Sequence, residues 1–143
     1  MPEVAPTNIL LVEDDKVDVM NVQRSFKQAN IVNPLYIANN GVDALAILKG
    51  EHEEVKMPNI RRLVLLDLNM PKMSGLELLQ NIRKDPSLRA TPVIVLTTSN
   101  QERDRMEAYD LNVAGYLLKP VTFGSFFELI TTLNRYWTLC EIP

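Results

Sequence analysis

The sequence predicts an α/β fold, a doubly wound five-stranded parallel sheet with five helices. Two observations carry this. Five short apolar runs recur at residues 8–12 (NILLV), 34–38 (PLYIA), 63–66 (LVLL), 92–97 (PVIVLT) and 114–118 (AGYLL). They are largely continuous rather than alternating, as suits strands buried on both faces. Amphipathic stretches lie between them, and the order βαβαβαβαβα with right-handed crossovers gives one sheet covered on both sides.

Each helix has its own signals. Asp15 is placed to cap the first, whose apolar positions are Val17, Met20, Val22, Phe26 and Ala29. A shorter second helix carries Val42, Leu45, Ala46, Leu48 and Lys49. The connector GEHEEVKMPNIRR, residues 50–62, is polar and expected at the surface. Ser74 followed by Glu77 is a capping-box signature ahead of Leu76, Leu78, Leu79 and Ile82. Ser99 and Glu102 repeat it ahead of Met106 and Tyr109, and Thr122 opens the last helix. There Phe126, Ile130, Leu133 and Trp137 form a central stripe, flanked by Phe123 and Phe127 on one side and Leu129 and Tyr136 on the other. This apolar arc of about 180° exceeds the roughly 100° that a surface helix needs to cover its core. Phe123, Phe127 and Tyr136 are therefore candidate interface residues for a C₂ homodimer through the fifth strand and helix. The competing reading packs the flanks under neighbouring loops or the tail.

Composition bounds the setting. The 143 residues suffice for one core, and the 46% apolar and 23% charged content is that of an ordinary globular chain. The net charge of −3, without a block of Lys and Arg, argues against a nucleic-acid surface or electrostatic membrane docking. The lone Cys140 offers no intrachain disulfide, no apolar run approaches a membrane span, and the start MPEVAPTN lacks signal-peptide regions. A cytoplasmic protein is expected. One domain over residues 7–138 is preceded by an extension, 1–6, and followed by a tail, 139–143.

In such sheets ligands sit at the carboxyl ends of the strands. Those ends carry Glu13, Asp14 and Asp15, then Asp67, Thr97 and Lys119. Each alone has a bland explanation: Asp15 as a helix cap, Asp67 as a turn residue, Thr97 as an ordinary β-branched strand residue, Lys119 as a solvated side chain. Together the explanations fail, because close carboxylates repel unless a cation sits among them. An acidic all-oxygen cluster suits Mg²⁺, and Asp67 then has a task as nucleophile for phosphoryl transfer. Thr97 and Lys119 are placed to bond and neutralise the transferred oxygens.

The ordered set ILLVEDD, VLLDLNMPKMSG, VIVLTTS and GYLLKP resembles the receiver domain of two-component response regulators, over about residues 7–138. The resemblance implies the flavodoxin-like receiver fold with strand order 2-1-3-4-5. It also implies that Asp67 accepts a phosphoryl group from a phosphohistidine on a sensor histidine kinase. Asp14 then ligates Mg²⁺ (Mn²⁺ in its place) directly, Glu13 acts through water, and Asn69 offers its backbone carbonyl. Thr97 and Tyr116 match the switch pair and Lys119 the phosphate-binding lysine; Asn69 and Ser99 match positions that tune hydrolysis. The Lys119–Pro120 bond is expected cis. The fourth helix, fifth strand and fifth helix form the output surface, and the protein is not otherwise an enzyme. The acidic pair, Glu-Asp rather than Asp-Asp, is a mild departure; with its long connector before the third strand and its ending FFELITTLNRYWTLCEIP, the chain looks like the stand-alone regulators that partner cyanobacterial phytochromes.

Rivals fare worse on the same residues. A haloacid-dehalogenase-type phosphatase needs a second acid two positions after its nucleophile, where this chain has Asn69. A flavodoxin-like cofactor binder needs a phosphate-cradling loop where Glu13 to Asp15 stand. A phosphorylation-independent binding module would lack one of the key residues. His52 has no ligand-type partners nearby, and Met70 and Met73 read as packing.

Overall fold

The structure, a computed structural model, describes residues 6–143. All but Pro6 of the expected extension 1–6 lies outside the described residues. The elements are β1 (Asn8–Val12), α1 (Lys16–Gln28), β2 (Leu35–Ala38), α2 (Gly41–Lys49), β3 (Arg62–Leu66), α3 (Gly75–Lys84), β4 (Val93–Thr97), α4 (Glu102–Asp110), β5 (Gly115–Leu118) and α5 (Phe123–Leu139). All strand pairs are parallel, in the order β2-β1-β3-β4-β5, as expected.

Strand alternation divides the interior into two layers. Leu10, Val12, Val64, Leu66, Val93 and Val95 face α2, α3 and α4, where they meet Ala44, Ile47, Leu78, Leu79 and Ile82. Ile9, Leu11, Leu63, Leu65, Ile94 and Leu96 face α1 and α5, against Val22, Phe26, Phe126, Ile130, Leu133 and Trp137. Successive side chains point to opposite faces, so a strand buried on both sides reads as an unbroken apolar run. The α5 stripe is thus as expected.

Three helix readings need correction. In α1, Val17 and Met20 are 65% and 64% exposed, while Ser25 is buried in their stead. Its hydroxyl is satisfied by donating to the Asn21 carbonyl at 2.7 Å, which lets a small polar residue face the sheet. In α2, Gly41, Ala44, Ile47 and Leu48 are the buried positions and Val42 is exposed. In α4 the N-cap is Gln101, without a side-chain cap bond, so the Ser99/Glu102 capping box does not form. Ser99 is still tied to the strand end, its N–H donating to Thr97 Oγ1, and its hydroxyl donates to Asp104 at 2.6 Å. By contrast Asp15, Ser74 and Thr122 cap α1, α3 and α5 as read.

The connector is less superficial than its polarity suggests. Met57 is buried, and Arg62, 5% exposed, donates to the carbonyls of Pro58, Met57 and Leu48. A guanidinium on the last turn of α2 suits the negative end of that helix. His52 serves the same loop, its Nδ1 accepting from the N–H groups of Glu54 and Val55. The tail is also tied down: the Arg61 N–H donates to the Pro143 carbonyl, and Ile142 packs against the α1/α5 layer. The Lys119–Pro120 bond is trans, correcting the cis expectation, as no cis bond occurs among the described residues. Trans is the intrinsically favoured isomer, and the Lys119 ammonium reaches its partners without the other.

One glycine is pressed onto the site. A Cβ on Gly75 would lie 2.3 Å from the Asp67 carbonyl oxygen and 2.7 Å from Leu68 Cα, both rigid backbone. Gly75→Ala is expected to lower stability by about 2–3 kcal/mol in urea unfolding, as forced overpacking does. Gly124→Ala in α5, where a Cβ meets nothing within 4 Å, is expected to be neutral or slightly stabilising.

Candidate functional site

Ladder register brings the acids together. The Asp67 N–H donates to the Val12 carbonyl, which sets the residue after β3 beside the end of β1. The Lys119 N–H donates to the Thr97 carbonyl and does the same for β4 and β5. Carboxylate oxygens of Glu13, Asp14 and Asp67 lie within 4.8 Å of one another. Glu13 and Asp67 are buried, whereas Asp14 and Asn69 are exposed.

Lys119 reaches into this cluster. Its Nζ lies 2.5 Å from Glu13 Oε1, 2.7 Å from Asp18 Oδ2 and 3.7 Å from Asp67 Oδ2. The other Glu13 oxygen accepts the Asp15 N–H at 3.1 Å, so Glu13 is held at both ends. Asp67 Oδ1 is buried and has no hydrogen-bond partner among the described residues. A buried carboxylate oxygen without a donor is costly. Here it faces an excess of like charge, four carboxylates around one ammonium. All-oxygen donors of this kind fit a hard divalent cation, and the cluster is consistent with binding one.

The charges follow the burial. Glu13 is pushed up to about 7, chiefly by burial; the Lys119 bond pulls the other way and the Asp67 charge adds to the rise. For Lys119 burial works against the charge, but the bonds to Asp18 and Glu13 and the field of Asp67 outweigh it and hold the ammonium protonated.

Thr97 is fully buried, with Oγ1 accepting from the Ser99 N–H. Tyr116, half-buried, donates its hydroxyl to the Ser99 carbonyl at 3.0 Å and packs against the α2–α4 layer. Its ring is turned inward. Met70 and Met73 pack against the same layer, as read. Of the three candidate interface residues, Phe123 lies under the Arg24 guanidinium, 4.1 Å from its ring centre, and 6.4 Å from Phe127. Tyr136 remains 45% exposed.

Sequence reasoning missed Asp18. It sits three residues past the Asp15 cap, in the first turn of α1, directly after the loop that carries the acidic pair. An acid in a first helical turn has an ordinary explanation in the helix dipole, and that hid it.

Comparisons with known proteins agree with this geometry. The family described as "Response regulator receiver domain" matches residues 9–131. Response regulator Rcp1 of Synechocystis sp. is 41% identical over 134 residues, 92% of this chain and 89% of that protein. The phosphorylated cyanobacterial phytochrome response regulator RcpA superposes with a TM-score of 0.87 at 34% identity, covering 97% of this chain and 99% of that one. The Mn²⁺-bound form of Rcp1 does so with a TM-score of 0.84 at 40% identity, covering 96% and 99%.

The Glu13 shift has a measurable sign. Its folded-state value of about 7 lies above the ordinary 4.5, so its stabilising contribution is complete below 4.5 and lost as the pH rises through 7. In chelator, the Tm is expected to fall across that interval, and Glu13→Gln to flatten the profile. A wild-type profile no steeper than the variant's refutes the assignment.

Proposed function

The chain belongs to the response regulator receiver domain family, and from that premise we propose that it is a phosphoryl-operated switch whose acceptor is Asp67. The observation that carries the reading is the buried, unpartnered Oδ1 of Asp67 within the acidic cluster, at the end of β3. The Asp67 carboxylate attacks the phosphorus of a phosphohistidine on a sensor histidine kinase. The O–P bond forms as the P–N bond breaks, and the electron pair departs on the imidazole. A divalent cation, Mg²⁺ or in its place Mn²⁺, held by Asp14, Asp67 and the Asn69 carbonyl with Glu13 acting through water, would neutralise the phosphoryl oxygens. Lys119 neutralises them from the other side, and the Thr97 hydroxyl donates to one of them. The protein acts only on its own aspartate, with slow hydrolysis influenced by Asn69 and Ser99.

Phosphorylation adds about −1.5 to −2 charge at Asp67. Thr97 moves toward that charge and Tyr116 turns into the space released, which shifts the population of the α4, β5 and α5 surface between two packings. The bond from the Tyr116 hydroxyl to the Ser99 carbonyl, two residues past Thr97, supports a coupling of these two side chains. The likeness to phytochrome response regulators supports a phytochrome-like kinase as donor, in the cytoplasm; no helix among the described residues is long and apolar enough to cross a membrane.

A C₂ homodimer through β5 and α5 completes the proposal, with Phe123, Phe127 and Tyr136 at its interface. The exposed Leu118 and Tyr136 support it, although Arg24 already covers part of Phe123.

Two measurements test these points. With acetyl phosphate and Mg²⁺, intact mass is expected to show one acid-labile phosphoryl group on the wild type and none on Asp67→Asn; equal labelling of both removes Asp67 as acceptor. In sedimentation equilibrium at tens of micromolar (about the range where weak dimers register), Tyr136→Ala and Phe127→Ala are expected to shift the protein toward monomer. A wild type monomeric in both phosphorylation states rejects the dimer.

A further inference from the structure

Lys119 divides its bonds unevenly. The ammonium has three protons to donate. It meets Glu13 at 2.5 Å and Asp18 at 2.7 Å, while Asp67 stands at 3.7 Å, outside hydrogen-bond reach. The acid that most needs a donor is the one not served, since Asp67 Oδ1 is buried without a partner. Asp18 is held where it competes. The Asp15 carboxylate accepts from the N–H groups of Val17 and Asp18, fixing the first turn of α1 and with it the Asp18 backbone.

We propose that Asp18 is a positioning residue that holds Lys119 off Asp67 in the resting site, and so sets the balance between the resting and phosphorylated states. The inference rests on Asp67 as phosphoryl acceptor. A helix-dipole role accounts for an acid in the first turn, but not for a bond across 101 residues to the fifth strand's lysine. A phosphoryl group at Asp67 brings about −1.5 to −2 charge against the single charge of Asp18. Lys119 then transfers its bond to a phosphoryl oxygen. Asp18, with its side chain 23% exposed, returns to water at little cost. While it holds Lys119 it makes the phosphorylated state harder to reach.

Beryllofluoride, a stable stand-in for the phosphoryl group, provides the test in Mg²⁺. Asp18→Asn is expected to bind it about fivefold more tightly than the wild type, the low end of ordinary coupling between sites. Asp15→Asn removes the same charge three residues away while keeping an Oδ1 that can accept from the Val17 and Asp18 N–H groups, and is expected to match the wild type. No gain in Asp18→Asn, or an equal gain in Asp15→Asn, overturns the proposal. Should Asp18→Asn fail to fold, Asp18→Ser carries the same expectation. A wild type that binds no beryllofluoride overturns the acceptor reading instead. The Asp67 carboxyl carbon resonance of the cation-free protein then decides on Asp18. It is expected to move in Asp18→Asn, as Lys119 swings onto Asp67, and to stay put in Asp15→Asn. An unmoved resonance in Asp18→Asn overturns the inference.

Discussion

One ammonium stands among four carboxylates at the carboxyl edge of the sheet, and the arrangement of the site follows from that imbalance. Lys119 can satisfy two acids closely and a third only at a distance. The remaining deficit collects on Asp67, whose buried oxygen has no donor. This is a destabilised constellation, since burial, with the charge of Asp67 added to it, raises the proton affinity of Glu13. A cation or a phosphoryl group changes the balance at once. A site with so much charge so close together is responsive to any charge added to it.

The fold pays for that discomfort with its core. β1, β3 and β4 are buried at every position, so the strand ends that carry Glu13, Asp67 and Thr97 cannot drift apart. Gly75 lets α3 start directly against the Asp67 backbone, with its N–H donating to the Leu68 carbonyl. At the other end of the sheet, Arg62 gathers three carbonyls from the connector and α2, and the tail closes on Arg61. Rigid packing below and strained charge above are two aspects of one design.

Legibility in the sequence followed burial. Strands covered on both faces announce themselves as unbroken apolar runs, and β1, β3 and β4 were readable almost to the residue. Helix faces were harder wherever small residues point inward. Gly41, Ala44 and Ser25 are buried but carry little hydropathy, while Val17, Met20 and Val42 carry much and stay outside. The strand-end residues of the candidate site were legible because chemistry, not hydropathy, marks them. Asp18 and Arg62 were not, because their roles lie in partners far along the chain or in backbone carbonyls, neither of which leaves a local pattern.

The salt link between α1 and the end of β5 joins residues near the two ends of the chain. Closing so long a loop is entropically expensive and comes after the local contacts are made. The Lys119 arm of the charged centre is therefore missing from a nascent or partly opened chain; it arrives when the last strand docks beside the fourth. Completion of the charged centre and completion of the fold are a single event.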